Sequence, residues 1–337
     1  MTISAQRSSA QARNLYYLGP EGSFTHQSAL EASNLIGRAT GQACSLVALD
    51  QAASIVSEVE AGHGLGILAW ENNVEGTVVP NMDALINARY TAGFAKISLD
   101  IVFDAFVLPH HDNLTQVSAH PHGLAQCKTF VGEHGLHPEP ASSNAAACRD
   151  LAPHQIGLGP RICGSLYGLE TYAQAVQDYK GAHTDFVLLA PRAQVADLAQ
   201  ACEQASGHSG DQVSAFESIL ALIPFQTGPG VLANVLDQVR DAGLNMTSFM
   251  SRPIKGYDGT YSFVVSLDAA PWEPQLRSLM EDLTRHDVWL KTLAVCPRTI
   301  RPNPPVDQCM LPTGGVERLD LAQTAESVAV IREELLW

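Results

Sequence analysis

Leu15-Tyr16-Tyr17-Leu18-Gly19-Pro20-Glu21-Gly22-Ser23-Phe24-Thr25-His26 is the stretch that decides how the first half of the chain folds. Leu15–Leu18 reads as a buried strand, Gly19-Pro20 as a turn, and Thr25–Leu35 continues at helical spacing. That is one βα unit, and its grammar recurs downstream. Leu65–Trp70 and Phe186–Leu189 are short apolar runs of buried-strand type, while Ile97, Leu99, Ile101 and Phe103 alternate along a strand with one polar face. Between them Gln51–Ala61, Pro80–Ala88 and Gly123–His134 are helical stretches, the first with Ile55, Val56 and Val59 on one face. Alternating βα units from Leu15 to about Pro191 predict an α/β sandwich with a largely parallel sheet, whose ligands lie beyond the carboxyl ends of the strands.

The second half has a different grammar. Ala193–Asp211 reads as a helix running into a linker at Gly207-His208-Ser209-Gly210. Ser218–Phe225 is then a strand, and Gly228-Pro229-Gly230 opens a helix carrying Val231, Leu232, Val235, Leu236 and Val239 that Gly243 closes. Strands follow at Asn245–Ser251 and Thr260–Leu267, then a helix with Leu276, Leu279, Met280 and Leu283, and a last strand at Val288–Val295. The order βαββαβ is the ferredoxin-like arrangement. The expected organisation is a polar tail at 1–13, an α/β domain at 14–205, a linker at 206–212, the βαββαβ domain at 213–297, and a proline-rich arm with a short helix at 298–337.

Composition narrows the function. The chain has 337 residues, 46% hydrophobic, and a net charge of −15, which argues against nucleic acid because phosphate binding depends on Lys and Arg. No apolar run reaches the roughly 18 residues of a membrane span, and Met1–Asn14 lacks the apolar core of a signal peptide. Seven cysteines without a C-x-x-C pair fit buried thiols in a reducing cytoplasm. The histidines at 110, 111, 120, 122, 134 and 137 match no standard zinc spacing, and Cys127 beside them has no partner, so no metal is expected.

Five ordered segments resemble the prephenate dehydratase family. Tyr17–His26 resembles its opening signature, Trp70–Val78 its Glu-Asn-Ser segment, and His120–Cys127 its His-Pro helix start. Tyr167-Gly168-Leu169, then Val176-Gln177-Asp178, precede Thr184-Asp185-Phe186-Val187-Leu188, which resembles the family's Thr-Arg-Phe strand except at its middle residue. The unit after the linker resembles the regulatory ACT domain, with Gly230-Val231-Leu232-Ala233 and Met250-Ser251-Arg252-Pro253 where the family has its phenylalanine-binding motifs. The resemblance implies a two-lobed, periplasmic-binding-protein-like catalytic domain with its site in the cleft. It implies loss of carboxylate and ring hydroxyl from prephenate, giving phenylpyruvate, CO2 and water without a cofactor. It also implies an aromatic amino-acid effector and a homodimer or homotetramer. Met1–Asn14 is too short for the chorismate mutase bundle that some members carry.

By that resemblance Thr184 is the catalytic threonine, hydrogen-bonding the departing hydroxyl rather than acting as a full acid. Asn72 and Asn73 are either donors in the site or turn residues after a buried strand. Glu71 and Glu75 are candidate acid or orienting groups or solvated carboxylates, and His120 is a proton carrier or a residue of a helix start. Ser23 and Thr25 cap a helix, or use the same helix end to hold a substrate carboxylate. Asp185 and Phe186 complete the expected substrate contacts. For the effector the residues are Gly230, Val231, Leu232, Asn245, Ser251, Arg252 and Pro253 at a pairwise interface; Met250 replaces the family's Glu.

Asp185 is the main departure, a carboxylate where the family has Arg. Residues 14–205 hold 8 Lys and Arg against 19 Asp and Glu, so replacement cations are few; Lys128, Arg161, Lys180 and Arg192 are the candidates. Two rival readings follow from that change: a prephenate decarboxylase that keeps the ring hydroxyl, and a catalytically silent amino-acid sensor.

Overall fold

A computed structural model describes residues 12–206, 215–254, 256–298, 305–307, 310–316 and 333–336. In chain order the elements are β1 (Arg13–Leu18), α1 (Phe24–Thr40), β2 (Cys44–Leu49), α2 (Ala52–Glu60), β3 (Gly64–Asn72), β4 (Gly76–Thr77), α3 (Val79–Asn87), β5 (Thr91–Asp100) and β6 (Asp104–Val107). They continue with β7 (Gln116–Ala119), α4 (Pro121–Gln126), α5 (Lys128–Glu133), β8 (His137–Pro140), α6 (Asn144–Arg149), β9 (Gln155–Gly159), α7 (Ile162–Tyr167), β10 (Glu170–Ala173) and β11 (His183–Pro191). A 3-10 turn leads to α8 (Val195–Ser206), and the last elements are β12 (Phe216–Pro224), α9 (Val231–Asp241), β13 (Met246–Pro253), β14 (Tyr261–Leu267), α10 (Pro274–Arg285) and β15 (Val288–Pro297).

Two lobes share the first part of the chain. In the first lobe β2, β1 and β3 run parallel, and β11 inserts antiparallel between β3 and β5. The second lobe is a five-stranded sheet in the order β10-β6-β9-β7-β8. The expected largely parallel sheet is therefore corrected to a mixed one in both lobes, because the chain leaves the first lobe after β5 and comes back as β11. The two crossings touch: Ile101 N–H donates to Ala182 C=O at 2.7 Å. This also ends the strand expected through Phe103 at Asp100. Ile101 and Phe103 stay buried, but in the core of the second lobe.

The helix expected over Gly123–His134 is broken at Cys127 (φ −127°, ψ 31°) into α4 and α5. Asp178 accounts for the break, since its carboxylate accepts from the N–H groups of Lys128 and Thr129 at 2.9 and 3.2 Å and so caps a second helix start.

The βαββαβ domain forms as expected, with strand order β13-β14-β12-β15. One face of its sheet is covered by α9 and α10. The other face, through Ile219, Ala221, Val264, Leu293 and Cys296, packs into one core with Ile55, Trp70, Met82 and Leu85 of the first lobe. Strand β15 also meets β5 in parallel, at Ala294 opposite Gly93, so one ten-stranded sheet runs through both parts. The ion pair Lys96–Glu217 crosses the junction at 2.9 Å. The chain up to Arg298 is thus one compact unit, and Thr299–Trp337 is a second. The linker expected at 206–212 and most of the proline-rich arm lie outside the described residues, as do residues 1–11 of the polar tail.

Gly93 is where β5 pairs with β15. A Cβ there would run into Val187 and come within 2.6 Å of the Ala294 side chain. Gly93→Val is therefore expected to cost about 1–3 kcal/mol by overpacking, measured by urea unfolding, and to loosen the C-terminal domain, measured by limited proteolysis.

Candidate functional site

The site begins with an irregularity in β3. Phe186 pairs with Ala69, but Asp185 pairs with Glu71, so the ladder passes over Trp70. A bulge of this kind changes which face the following side chain presents. Trp70 packs on the α2/α3 side. Asn72, which simple alternation would place beside it, instead meets Thr184 on the opposite side, the side of Phe186 and Leu99.

Asn72 Nδ2 donates to Thr184 Oγ1 at 2.9 Å, with both residues buried. The amide orientation is not arbitrary, because Asn72 Oδ1 accepts from the N–H groups of Val74 and Glu75 at 2.9 and 2.8 Å, and backbone N–H groups only donate. Asn72 therefore serves both as the turn residue and as the partner of Thr184. Since the Thr184 oxygen accepts this bond, its O–H remains available to donate elsewhere.

Asn73 has a different job. Its Nδ2 donates to Gly181 C=O at 2.9 Å and its Oδ1 accepts from His183 N–H at 2.8 Å, so the side chain clamps the entry of β11. Phe186 is 2% exposed in the core and lines no cleft, which corrects its expected substrate contact.

Asp185 follows Thr184 on β11, so its side chain takes the other face of the sheet. There it accepts from Ser98 Oγ at 2.6 Å, on the same face as Lys96. Burial disfavours charge on Lys96, but Glu217, Cys296 and Asp185 more than offset it and raise its pKa above the ordinary lysine value. The substitution of Asp for Arg thus alters a network behind the sheet, not the face carrying Thr184. Glu71 stands opposite Asp185 in the ladder, and both Glu71 and Glu75 are exposed. Of the cations expected to replace the Arg, Arg161 pairs with Asp104 at 3.0 Å and Arg192 donates to Thr292 C=O at 2.7 Å; the side chains of Lys128 and Lys180 are exposed.

The other expected residues cap helices. Ser23 Oγ accepts from His26 N–H at 3.1 Å at the start of α1, whose first turn includes Thr25. His120 Nδ1 accepts from His122 N–H at 3.3 Å at the start of α4, and burial followed by the neighbouring His122 lowers its pKa. Among the described residues no hydrogen bond joins Ser23, Thr25 or His120 to the Asn72–Thr184 pair, and no cluster of three His, Cys, Asp or Glu side chains has the arrangement to hold a metal ion.

Several residues that the sequence reading did not single out organise the lobe boundary. Tyr167 O–H donates to Glu21 C=O at 2.6 Å and Cys163 S–H to Gly22 C=O at 3.2 Å, both from α7 across to the turn before α1. His26 is buried, stacks on Tyr17 with ring centroids 5.2 Å apart, and accepts from Gly22 N–H through Nδ1 at 3.1 Å. The available signal was a histidine on the buried stripe of α1, in line with Ala29 and Ala32.

In the C-terminal domain a cavity of about 310 Å³ is lined by Gly228, Val231, Leu232, Ser251, Tyr261 and Phe263, among others, with Gly230 at φ +86° capping α9 beside it. Asn245 donates to Asp268 Oδ2 at 2.7 Å at the other end of β13. Strand alternation turns Arg252 away from Ser251 and onto Asp83 of α3. Pro253 is exposed at the end of β13 and is not among the lining residues.

Burial lowers the His26 pKa, and Glu21 opposes this only in part. A folded-state pKa below the unfolded one means that the folded chain binds fewer protons, so stability is lost as pH falls below the ordinary histidine range of about 6.5. Chemical unfolding at pH 7.5 and 5.0 is expected to show that loss in the parent protein and a smaller loss in His26→Asn.

The comparisons with known proteins fit this geometry. The family model described as prephenate dehydratase matches residues 15–194, more than half of the chain. A prephenate dehydratase of Mycolicibacterium vanbaalenii is 27% identical over 285 residues, covering 80% of this chain and 86% of that protein. The structure of prephenate dehydratase in complex with L-Phe from Arthrobacter aurescens has a TM-score of 0.68 at 23% identity, covering 88% of this chain and 94% of that one. The structure of GqqA, described as a novel type of quorum quenching acylase, also reaches a TM-score of 0.68, at 20% identity over 85% of this chain and 98% of its own. The two structural likenesses establish the fold; the family match, which spans both lobes and includes Asn72 and Thr184, shows that the chain belongs to the prephenate dehydratase family.

Proposed function

We propose that the protein is a prephenate dehydratase, a lyase that converts prephenate to phenylpyruvate, CO2 and water in phenylalanine synthesis, with feedback by an aromatic amino acid bound in the C-terminal domain. The observation that carries this reading is the buried Asn72–Thr184 hydrogen bond in a chain of this family. Prephenate loses its ring carboxylate as CO2; the electron pair released enters the ring and expels the hydroxyl at the far carbon, which takes up a proton and leaves as water. A threonine hydroxyl is too weak an acid to transfer that proton fully, but aimed at the departing oxygen it stabilises the charge growing there. Asn72 holds the Thr184 oxygen so that the O–H points outward. A site sheltered between two lobes strengthens this contact by limiting water.

The effector reading rests on the cavity at the start of α9. Gly228 and Gly230 keep the backbone bare there, the helix N-terminus favours a carboxylate, and Leu232, Tyr261 and Phe263 offer an apolar wall for an aromatic side chain. L-Phenylalanine fits all three features. Self-association into a homodimer or homotetramer is part of the same proposal.

A prephenate decarboxylase drew its support from Asp185. With that carboxylate bonded to Ser98 on the reverse face, the support weakens. Product identification from prephenate separates the readings: aromatic phenylpyruvate is expected, and a non-aromatic dihydro product or no turnover would sink the proposal. Thr184→Ala should lower kcat by about 10²–10³, as loss of one transition-state donor does, while Thr184→Ser keeps most of the rate. Asp185→Arg should leave KM for prephenate within about twofold and destabilise the fold through repulsion of Lys96, by about 1 kcal/mol.

A further inference from the structure

Helix α3 is bonded to both the catalytic bulge and the effector domain. At its start Val78 N–H donates to Trp70 C=O at 2.8 Å, and the buried Asn81 side chain donates to Ala69 C=O at 2.8 Å. These carbonyls belong to the two residues at which β3 loses register with β11. Strand β4, between the Asn72 turn and α3, pairs back onto Glu71 and Asn72. The end of α3 is held from the other side: Lys291 of β15 donates to the C=O groups of Leu85, Ile86 and Ala88. In the middle, Arg252 of β13 forms a two-pronged ion pair with Asp83. The side chains of that pair are only 16% and 27% exposed, so the contact is partly shielded from the water and salt that weaken surface pairs.

Arg252 follows Ser251, which lines the effector cavity. On a strand the two side chains point to opposite faces, Ser251 into the cavity and Arg252 onto α3. A shift of β13 that accommodates a ligand against Ser251 therefore displaces the guanidinium bound to Asp83. We propose that α3 carries regulation from the effector cavity to the Asn72–Thr184 pair, with the Arg252–Asp83 ion pair as the link. The proposal rests on the dehydratase and effector reading above. Lys291 anchors the C-terminal end of α3, so a pull at Asp83 is felt at its free end, where Val78 and Asn81 brace the bulge. A small displacement there changes the distance from Asn72 Nδ2 to Thr184 Oγ1, and hence where the hydroxyl points.

The test uses the full-length protein, prephenate turnover and L-phenylalanine as the probe. Allosteric coupling is typically about 5–150-fold; the parent protein is expected to show such a reduction in kcat/KM at saturating phenylalanine, and Asp83→Asn to reduce the factor to near 1. Basal kcat/KM should stay within about twofold, and Asp83→Asn should still bind phenylalanine by calorimetry. Arg252→Gln should behave alike, and the exchanged pair Asp83→Arg with Arg252→Asp should recover inhibition, a coupling that the double-mutant cycle isolates. Full inhibition of both single variants overturns the proposal, as does phenylalanine binding abolished outright in Asp83→Asn. If the parent protein turns over prephenate but neither binds phenylalanine nor is inhibited by it, the effector reading and the coupling fall together while the dehydratase reading stands. If prephenate is not turned over, the dehydratase reading fails separately; the coupling is then judged by hydrogen exchange. Phenylalanine should change protection of the Val74 and Glu75 amides in the parent and not in Asp83→Asn, and equal changes in both overturn it.

Discussion

The amide of Asn72 is satisfied on both sides, and the site depends on that. Its oxygen takes two backbone N–H groups of its own turn, which leaves the nitrogen no choice but to face Thr184 at 2.9 Å. Because the pair is buried, neither group has water to turn to, and an unmade bond would cost about 1–3 kcal/mol. The threonine oxygen is thereby fixed as an acceptor, and its proton is free for another partner. Three features support that contact: the bulge at Trp70 brings Asn72 to the side of Thr184, Asn73 clamps the backbone before Thr184, and Phe186 roots β11 in the core.

The change from Arg to Asp at position 185 takes on a different meaning in this setting. In a list of motifs it reads as a lost cation beside a dianionic substrate. In the sheet it lies behind the catalytic face, bonded to Ser98 and within the field of Lys96. Lys96 in turn pairs with Glu217 of the C-terminal domain, so the altered residue belongs to the junction between the first lobe and that domain. A fold that also supports a protein described as a quorum quenching acylase cannot by itself specify chemistry. What this chain adds to the fold is its family and, on the proposed reading, two buried polar residues, Asn72 and Thr184.

The continuous sheet and the common core across the junction explain why the chain up to Arg298 behaves as one unit. With β15 beside β5 and α3 wedged against the C-terminal sheet, the βαββαβ domain is not tethered loosely beside the first lobe. Its cavity lies on one side of β13 and its grip on α3 lies on the other. That is the geometry a regulatory domain needs if binding is to be felt at a distance, since packed elements move as discrete bodies rather than deforming smoothly.

Local patterning carried much of this in the linear chain. Apolar runs, the Gly-Pro turn and helical spacing mark the strands at Leu15 and Leu65, the helix at Gln51 and the whole βαββαβ unit, because period and turn chemistry depend on neighbours a few residues apart. Thr184 and Asn72 were legible as candidates from their motifs. Their pairing was not, since 112 residues separate them and one extra residue in β3 reverses the face that Asn72 presents. The same holds for Phe186 and Asp185, whose motif positions suggested ligand contacts. Which face a strand residue occupies, and what stands opposite it, is set by register and by the crossing of the chain between lobes. Those are long-range properties that no local stretch contains.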